Sequence, residues 1–339
     1  MGASLVGGRF SGLVLAALVL VALVQAPAPA SAASSAGSED LGGIGVRLLD
    51  TPTDAGTDPR AQLYIVDHVA PGSVISRRIA VTNTTSQSAA VSTYAAAAWI
   101  ERGQFVVADG HTPNDLTTWT TVLPAMGDLP AGGAASVTVK INVPADAAAG
   151  ERYGVVWAEV RSSDQSSIVQ VNRVGIRLYV SVGPGAAPAA DFTIDSLTAE
   201  RSSDGLPTVL ATVTNTGGRA LDLAGSLEML NGPGGLSAGP FPAAPGFTLA
   251  IGASGQVAIA LDERVPEGPW DATLTLHSGL LERRATASIT FPSSGSALPV
   301  PASPVDGDDS PFASTALVVA LVLGGLVVLF MLPQRWHHT

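Results

Sequence analysis

Gly235-Leu236-Ser237-Ala238-Gly239 has the Gly-x-Ser-x-Gly spacing of a hydrolase nucleophile elbow. That chemistry needs the serine on a sharp strand-to-helix turn, which lifts its Oγ toward a base and an oxyanion hole. Gly232-Pro233-Gly234 precede it and Pro240, Pro242 and Pro245 follow at once, so no helix starts there and the stretch reads as a loop. Asp50, Asp54 and Asp58 recur every fourth residue and offer carboxylates to Ca²⁺, but the EF-hand spacing and its closing Glu are absent. A solvated loop accounts for them. Between the chain ends, His68, His111 and His277 come singly, without a second His or Glu at ligand spacing. Gly42, Gly43 and Gly45 have no strand before them and no helix after, so they do not cradle phosphate. Asn83-Thr84-Thr85 fits a glycosylation sequon but reads more simply as a turn. No catalytic residue, metal site or cofactor is expected, and a surface hydrolase would need a carboxylate pair or triad that the sequence does not offer.

The aromatic residues are better candidates for contact with a ligand, because sugars stack on rings. Tyr94, Trp99 and Phe105 flank Glu101-Arg102-Gly103-Gln104, which reads as a hairpin tip, and they form the candidate binding face. Tyr153, Val155 and Trp157 share one face of a strand, while Val156, Ala158 and Val160 share the other. A strand apolar on both faces is central, so Tyr153 and Trp157 are assigned to a core, as is Trp119 beside Val122, Leu123 and Leu129.

The elements that must position these residues are punctuated by 37 Gly and 24 Pro in a chain of 339 residues. There is no Cys, which excludes a disulfide framework and a thiol nucleophile. A formal charge of −11 argues against a nucleic-acid partner, which requires a basic stripe.

Both ends read as addresses. Leu13–Val24 is a short apolar run behind Arg9, and small residues such as Ala30-Ser31-Ala32 follow, the layout of a signal peptide over 1–32. Ala313–Leu332 is uncharged over 20 residues, enough at about 1.5 Å per residue to cross a hydrocarbon layer roughly 30 Å thick. Arg335 follows it and Asp306, Asp308 and Asp309 precede it, so 333–339 is a cytoplasmic tail. The expected localisation is the cell membrane, as a single-pass protein with its N-terminal bulk outside. From Ala33 to Pro311, 15 basic residues face 28 acidic ones, a net −13. Ala316, Ala320 and Gly324 form a small-residue ridge in the span, either a homodimer seam or an accident of an Ala/Gly-rich run.

Between the ends, period-2 alternation predicts strands. Val137, Val139 and Ile141 alternate with Thr138 and Lys140; Val174, Ile176, Leu178 and Val180 form another such run, and Val257, Ile259 and Leu261 a third. The chain also repeats itself. Val81-Thr82-Asn83-Thr84 returns as Val213-Thr214-Asn215-Thr216, and Leu129, Val137 and Ile141 share spacings of 8 and 4 with Leu249, Val257 and Leu261. Val143-Pro144 and Val265-Pro266 then precede Gly150 and Gly268, and Tyr153 and Trp270 open the next strand. The expected fold class is all-β: two tandem immunoglobulin-like β-sandwich domains, 40–182 and 191–292, plus one C-terminal transmembrane helix over 313–332. A Pro/Ser/Gly/Asp stalk over 293–312 joins them, spanning at most about 70 Å extended and about 25 Å as a coil.

The stretch from Leu63 to Val182 resembles the N-terminal domain of the WxL-interacting protein family of Gram-positive bacteria. Pro71-Gly72-Ser73, Val81-Thr82-Asn83, Trp119, Leu129-Pro130-Ala131-Gly132, Val143-Pro144, Gly150 and Tyr153-Gly154 carry the likeness. Asn215-Thr216-Gly217, Gly232–Phe241, Gly268-Pro269-Trp270 and Ser278–Arg283 resemble the second domain of high-GC members. The resemblance implies a non-enzymatic surface protein with a peptidoglycan-binding-type first domain, and partner proteins that carry a Trp-x-Leu motif. None of the five Trp residues here is followed by x-Leu, so the chain is not itself such a partner. The function expected is binding of peptidoglycan or another envelope component. The alternative is a scaffold or assembly factor that binds an exported surface protein.

Overall fold

The computed structural model describes residues 43–52, 58–161 and 170–305. The signal peptide, the apolar span with its dimer ridge, the cytoplasmic tail and Asp54 lie outside them. Among the described residues no helix is long and apolar enough to cross a membrane.

The chain is all-β, and alternation is the cause. The first half holds β1 (Ile44–Leu48), α1 (Pro59–Leu63), β2 (Ile65–Val69), β3 (Val74–Asn83), β4 (Ala89–Glu101), β5 (Gln104–Val107), α2 (Asp115–Trp119), β6 (Thr120–Leu123), β7 (Met126–Leu129), β8 (Ala134–Asn142), β9 (Gly150–Arg161) and β10 (Val171–Val182). One sheet has the order β1-β3-β8-β6, and facing it lies β2-β10-β9-β4, with β7 also on β4. Val137, Val139 and Ile141 of β8 meet Ile75, Ile79 and Val81 of β3 and Val156, Ala158, Ile176 and Leu178 of the opposite sheet in one core. The helices are single turns fixed by caps: Asp58 accepts from Arg60 N in α1, and Asn114 and Thr117 form a reciprocal capping box in α2.

The second half repeats the plan with β11 (Phe192–Arg201), β12 (Pro207–Asn215), β13 (Leu221–Leu230), β14 (Ala238–Pro242), β15 (Phe247–Leu249), β16 (Ser254–Ala260), β17 (Trp270–Ser278) and β18 (Leu281–Ile289). Along β12 every second residue is buried, and a separate core forms around Phe192, Leu227, Val257, Leu274, Trp270 and Phe291. The sequence repeat has a structural equivalent. Asn83 is buried and donates its amide to Gln87 O, Leu129 O and Pro130 O; Asn215 donates in the same way to Arg219 O, Leu249 O and Ala250 O. Each Asn ties the end of one strand to the end of another, and Asn83 spends its side chain on the turn.

The sheets of the two halves are continuous, because Phe247 of β15 pairs with Gln104 of β5 and Thr248 N donates to Gly103 O. Gly103 permits this approach: its φ is +77°, and a Cβ there would lie 2.4 Å from the Phe247 ring.

The stretch expected to begin a stalk does not leave the fold at 293. Its short strands β19 (Gly295–Ser296) and β20 (Val300–Pro301) pair with β11, and β21 (Ser303–Pro304) pairs with β18. Ala297, Val300 and Ala302 pack on the second core. Residues 295–305 thus cross from one sheet to the other and close that edge of the sandwich.

Candidate functional site

Antiparallel register on β4, β9 and β10 aligns Tyr94 with Trp157 and Gly175, and Ser92 with Glu159 and Arg173. Val156, Ala158 and Ile176 point into the first core, so their alternate neighbours form the outer face of the sheet. Gly175 makes room there for a large ring, since a Cβ on it would sit 2.6 Å from Trp157 Cε3. The Arg173 guanidinium lies 4.9 Å from the Trp157 ring centroid, in reach of a cation–π attraction. Tyr94 stacks on His111 at 3.7 Å and 20°, and His111 itself is exposed. The Tyr94 hydroxyl donates to Glu159, which also accepts from Arg161 Nε at 2.7 Å.

The electrostatics follow from these contacts. The hydrogen bond from Tyr94, then the Arg161 guanidinium, hold the Glu159 carboxyl below its usual range although only 4% of the residue is exposed. Burial, then the Glu159 partner, push the Tyr94 hydroxyl upward. The Trp157 indole Nε1 is buried without a partner among the described residues. The face therefore offers the Arg161 and Arg173 guanidiniums, the His111 ring and the half-buried Trp157 ring, held from beneath by the buried Tyr94 and Glu159, which suits hydroxyl-rich or amide-rich ligands.

Of the three residues proposed from sequence, this face holds Tyr94. Phe105 is on the same side but at the opposite end, among Tyr153 and Tyr179 and under the Arg177 guanidinium at 4.6 Å. Trp99 is five residues from Tyr94, so strand alternation sends it to the other side, where it is 42% exposed and its indole donates to Glu101. The three do not form one platform. Trp157 joins the outer face, where it packs on Tyr94, Ala96 and Val155 rather than on the main core; the glycine opposite it, Gly175 between Val174 and Ile176, was the available sign.

At the end of this face that holds Phe105, the two sandwiches are joined by buried charge. Asp222 accepts from Arg60 Nε (2.6 Å), Arg177 Nη1 (3.0 Å), Tyr179 Oη (2.9 Å) and Thr248 Oγ1 (2.8 Å). Arg60 is 7% exposed and lies 4.3 Å over the Tyr179 ring. Beside it Glu151 accepts from Ala220 N and Tyr153 Oη, and burial raises its pKa.

The remaining motifs serve local structure. Ser237 lies between a 3₁₀ turn (Pro233–Gly235) and strand β14, with no helix after it. Asp50 pairs with Arg78, and Asp58 caps α1. His68 bonds Ser181, His111 stacks on Tyr94, and His277 lies opposite Glu282 in the β17–β18 hairpin.

No family model and no curated protein matches the chain. Among solved structures it is similar to a chain of the SafA pilin–SafB chaperone complex of Salmonella enterica, at 11% identity and a TM-score of 0.38, over 76% of this chain and 95% of that one. The E. coli chaperone DraB matches at 11% identity and a TM-score of 0.37, over 67% and 96%. The Pseudomonas aeruginosa CupB2 chaperone matches at 13% and 0.35, over 67% and 97%.

Proposed function

We propose that the chain is a membrane-anchored, non-enzymatic protein of the cell surface that binds peptidoglycan or another envelope component through the outer face of β4, β9 and β10. The observation that supports this reading is the set of Trp157, Arg173, Tyr94, His111, Glu159 and Arg161 on one sheet face, rings and charges held in place by mutual contacts. Recognition proceeds by stacking and hydrogen bonding to sugar hydroxyls and peptide amides, since a net −13 repels anionic polymers. Residues 33–311 should cosediment with insoluble peptidoglycan, and the Arg173→Ala and His111→Ala substitutions should weaken this. An ectodomain that stays in the supernatant removes the proposal.

A second reading is a scaffold for an exported surface protein, one carrying a Trp-x-Leu motif included. It draws on β16, which ends the five-stranded sheet with β12 as its strand neighbour; Ala244 N bonds Ala258 O on its outer side, so the stretch 254–256 is the edge left for strand addition. A pull-down by the ectodomain that enriches one exported protein while wall fragments show no binding would favour it.

A further inference from the structure

The second sandwich is open along one side, where β16 ends one sheet and β15 runs in the other. Antiparallel alternation decides which backbone groups of β16 face that opening. Asn215 N donates to Ala253 O across the β12 pairing, whereas Ala258 O turns the other way and accepts from Ala244 N. Residues 253, 255 and 257 therefore direct their groups to β12, and the N–H and C=O of Ser254 and Gln256 point outward. None of these four groups has a partner among the described residues. The unpaired length is three residues, about 10 Å.

Beside this length lies a groove of about 410 Å³, walled by both sandwiches. Ile100, Arg102 and Gly103 come from the β4–β5 hairpin of the first, and Phe247 and Leu249 from β15 of the second. The half-buried Phe247 ring sits between two glycines: a Cβ at Gly103 would lie 2.4 Å from it, and one at Gly255 2.8 Å. The wall is thus largely apolar, and its lining carries one charge, Arg102, and no carboxylate. Glu101 approaches Arg102 at 3.7 Å, but both are exposed, and such a pair contributes little. These features select among occupants. A second copy would have to bring its whole sheet edge past the hairpin tip on one side and the Ala244 contact on the other. One extended segment need not. It can exchange hydrogen bonds with Ser254 and Gln256 while alternate side chains turn inward toward Phe247 and Leu249. The Arg102 guanidinium favours a carboxylate on that segment.

We propose that this groove receives a single extended segment of an exported protein, apolar at alternate residues, with an Asp or Glu set beside Arg102. The proposal rests on the scaffold reading and adds to it a site and the chemistry of the partner. Pull-down of an exported protein that persists undiminished in a Gln256→Pro chain would remove this site and leave that reading. Peptide binding at the groove without any enriched protein would remove that reading and leave the site.

The test titrates the ¹⁵N-labelled full chain in detergent micelles with N-acetyl-Asp-Val-Thr-Val-Thr amide, the same peptide with Lys in place of Asp, and a fully N-methylated form that cannot donate. The Asp peptide should slow hydrogen exchange at the Gln256 N–H, and the N-methylated form should bind about tenfold more weakly or worse. Gln256→Pro should weaken the Asp peptide by about tenfold, since Pro removes the outward N–H and is tolerated on a sheet edge. Arg102→Asp should reverse the preference for Asp over Lys without disturbing the fold, because Arg102 sits in a turn at φ +50°, a conformation that Asp accepts. Equal binding by the N-methylated form would overturn the proposal. So would indifference to the Asp and Lys exchange, or an unprotected Gln256 up to about 5 mM peptide. Protection of Gln256 that rises with the concentration of the chain alone would mark a second copy as the occupant and overturn it too.

Discussion

Replacing Asp222 by alanine takes away the carboxylate on which Arg60, Arg177, Tyr179 and Thr248 converge. Arg60 suffers most, because it is 7% exposed and keeps its charge with no water to replace the lost partner. Breaking a buried pair from one side costs about 3–5 kcal/mol. Asp222 is 19% exposed and Arg177 26%, so solvent softens the loss and the expected value is about 3 kcal/mol. For a chain of this size that is a fall of roughly 6–12 °C in melting temperature. Urea and thermal denaturation followed by circular dichroism would read it. The double variant Arg60→Met, Asp222→Leu is the control: it removes the buried Arg60 charge with its partner and should recover the share of the loss that Arg60 carries, leaving that of Arg177, Tyr179 and Thr248. The network also joins the two sandwiches, so Asp222→Ala should split a single transition into two. An Asp222→Ala protein within about 0.5 kcal/mol of the parent would refute the reasoning, since that is the range of a surface substitution.

Asn83→Ala and Asn215→Ala should each cost about 2–3 kcal/mol, because each strips three backbone carbonyls of a shared donor at a buried strand end; chemical denaturation of both variants side by side tests whether the repeated motif does equal work. Glu159→Gln should flatten the acid limb of the stability curve. The native pKa is lowered, so this carboxylate stabilises the fold above its unfolded value near 4.5 and loses that contribution as the pH falls through the native value. Glu151, on the same strand, has the opposite sign. Burial raises its pKa, so its charge costs stability at neutral pH, and the cost is relieved as the pH falls through the native value. Melting curves of Glu151→Gln and Glu159→Gln between pH 3 and 7 should therefore diverge in slope. A soluble chain ending at 293 should be less stable than one ending at 305 by about 1–3 kcal/mol, for the loss of Ala297, Val300 and Ala302 from the second core; equal melting temperatures would show that the docked tail contributes nothing.

Strand alternation and the Asn repeat were legible because both are local: period 2 survives in any window of eight residues, and a buried Asn at a strand end leaves the same short signature twice. Trp157 was read as core from an equally local sign. A strand apolar on both faces is central, as β9 is between β10 and β4, but alternation does not tell that its second face packs on the small outer cluster of Tyr94, Ala96 and Val155 and not on the main core. The junction left no local trace. Arg60, Arg177 and Asp222 are ordinary surface residues in sequence, and 162 positions separate the first from the last. Their pairing exists only once β5 and β15 have brought the halves together.

The tail shows most sharply how composition misleads. Gly, Pro and Ser over 293–305 carry no alternation, and two-residue pairings are too short to impose any, so the stretch looks like a tether. Its backbone nevertheless bonds to Ala199, Asp195 and Arg284 in turn. It runs back along β11 until Val305 lines the same groove as Asp191, where the linker enters the second sandwich. This changes the reach of the binding face. If the apolar run from Ala313 is the anchor, the seven residues 306–312 permit a separation of at most about 29 Å between Val305 and the bilayer, not the 70 Å of a free stalk. The chain would then leave the fold near the point where the sandwiches meet rather than at the far end of the second, placing that elbow close to the lipid. A ligand confined to the outer wall would lie beyond such a protein, whereas newly exported chains and membrane-proximal glycan would be in range.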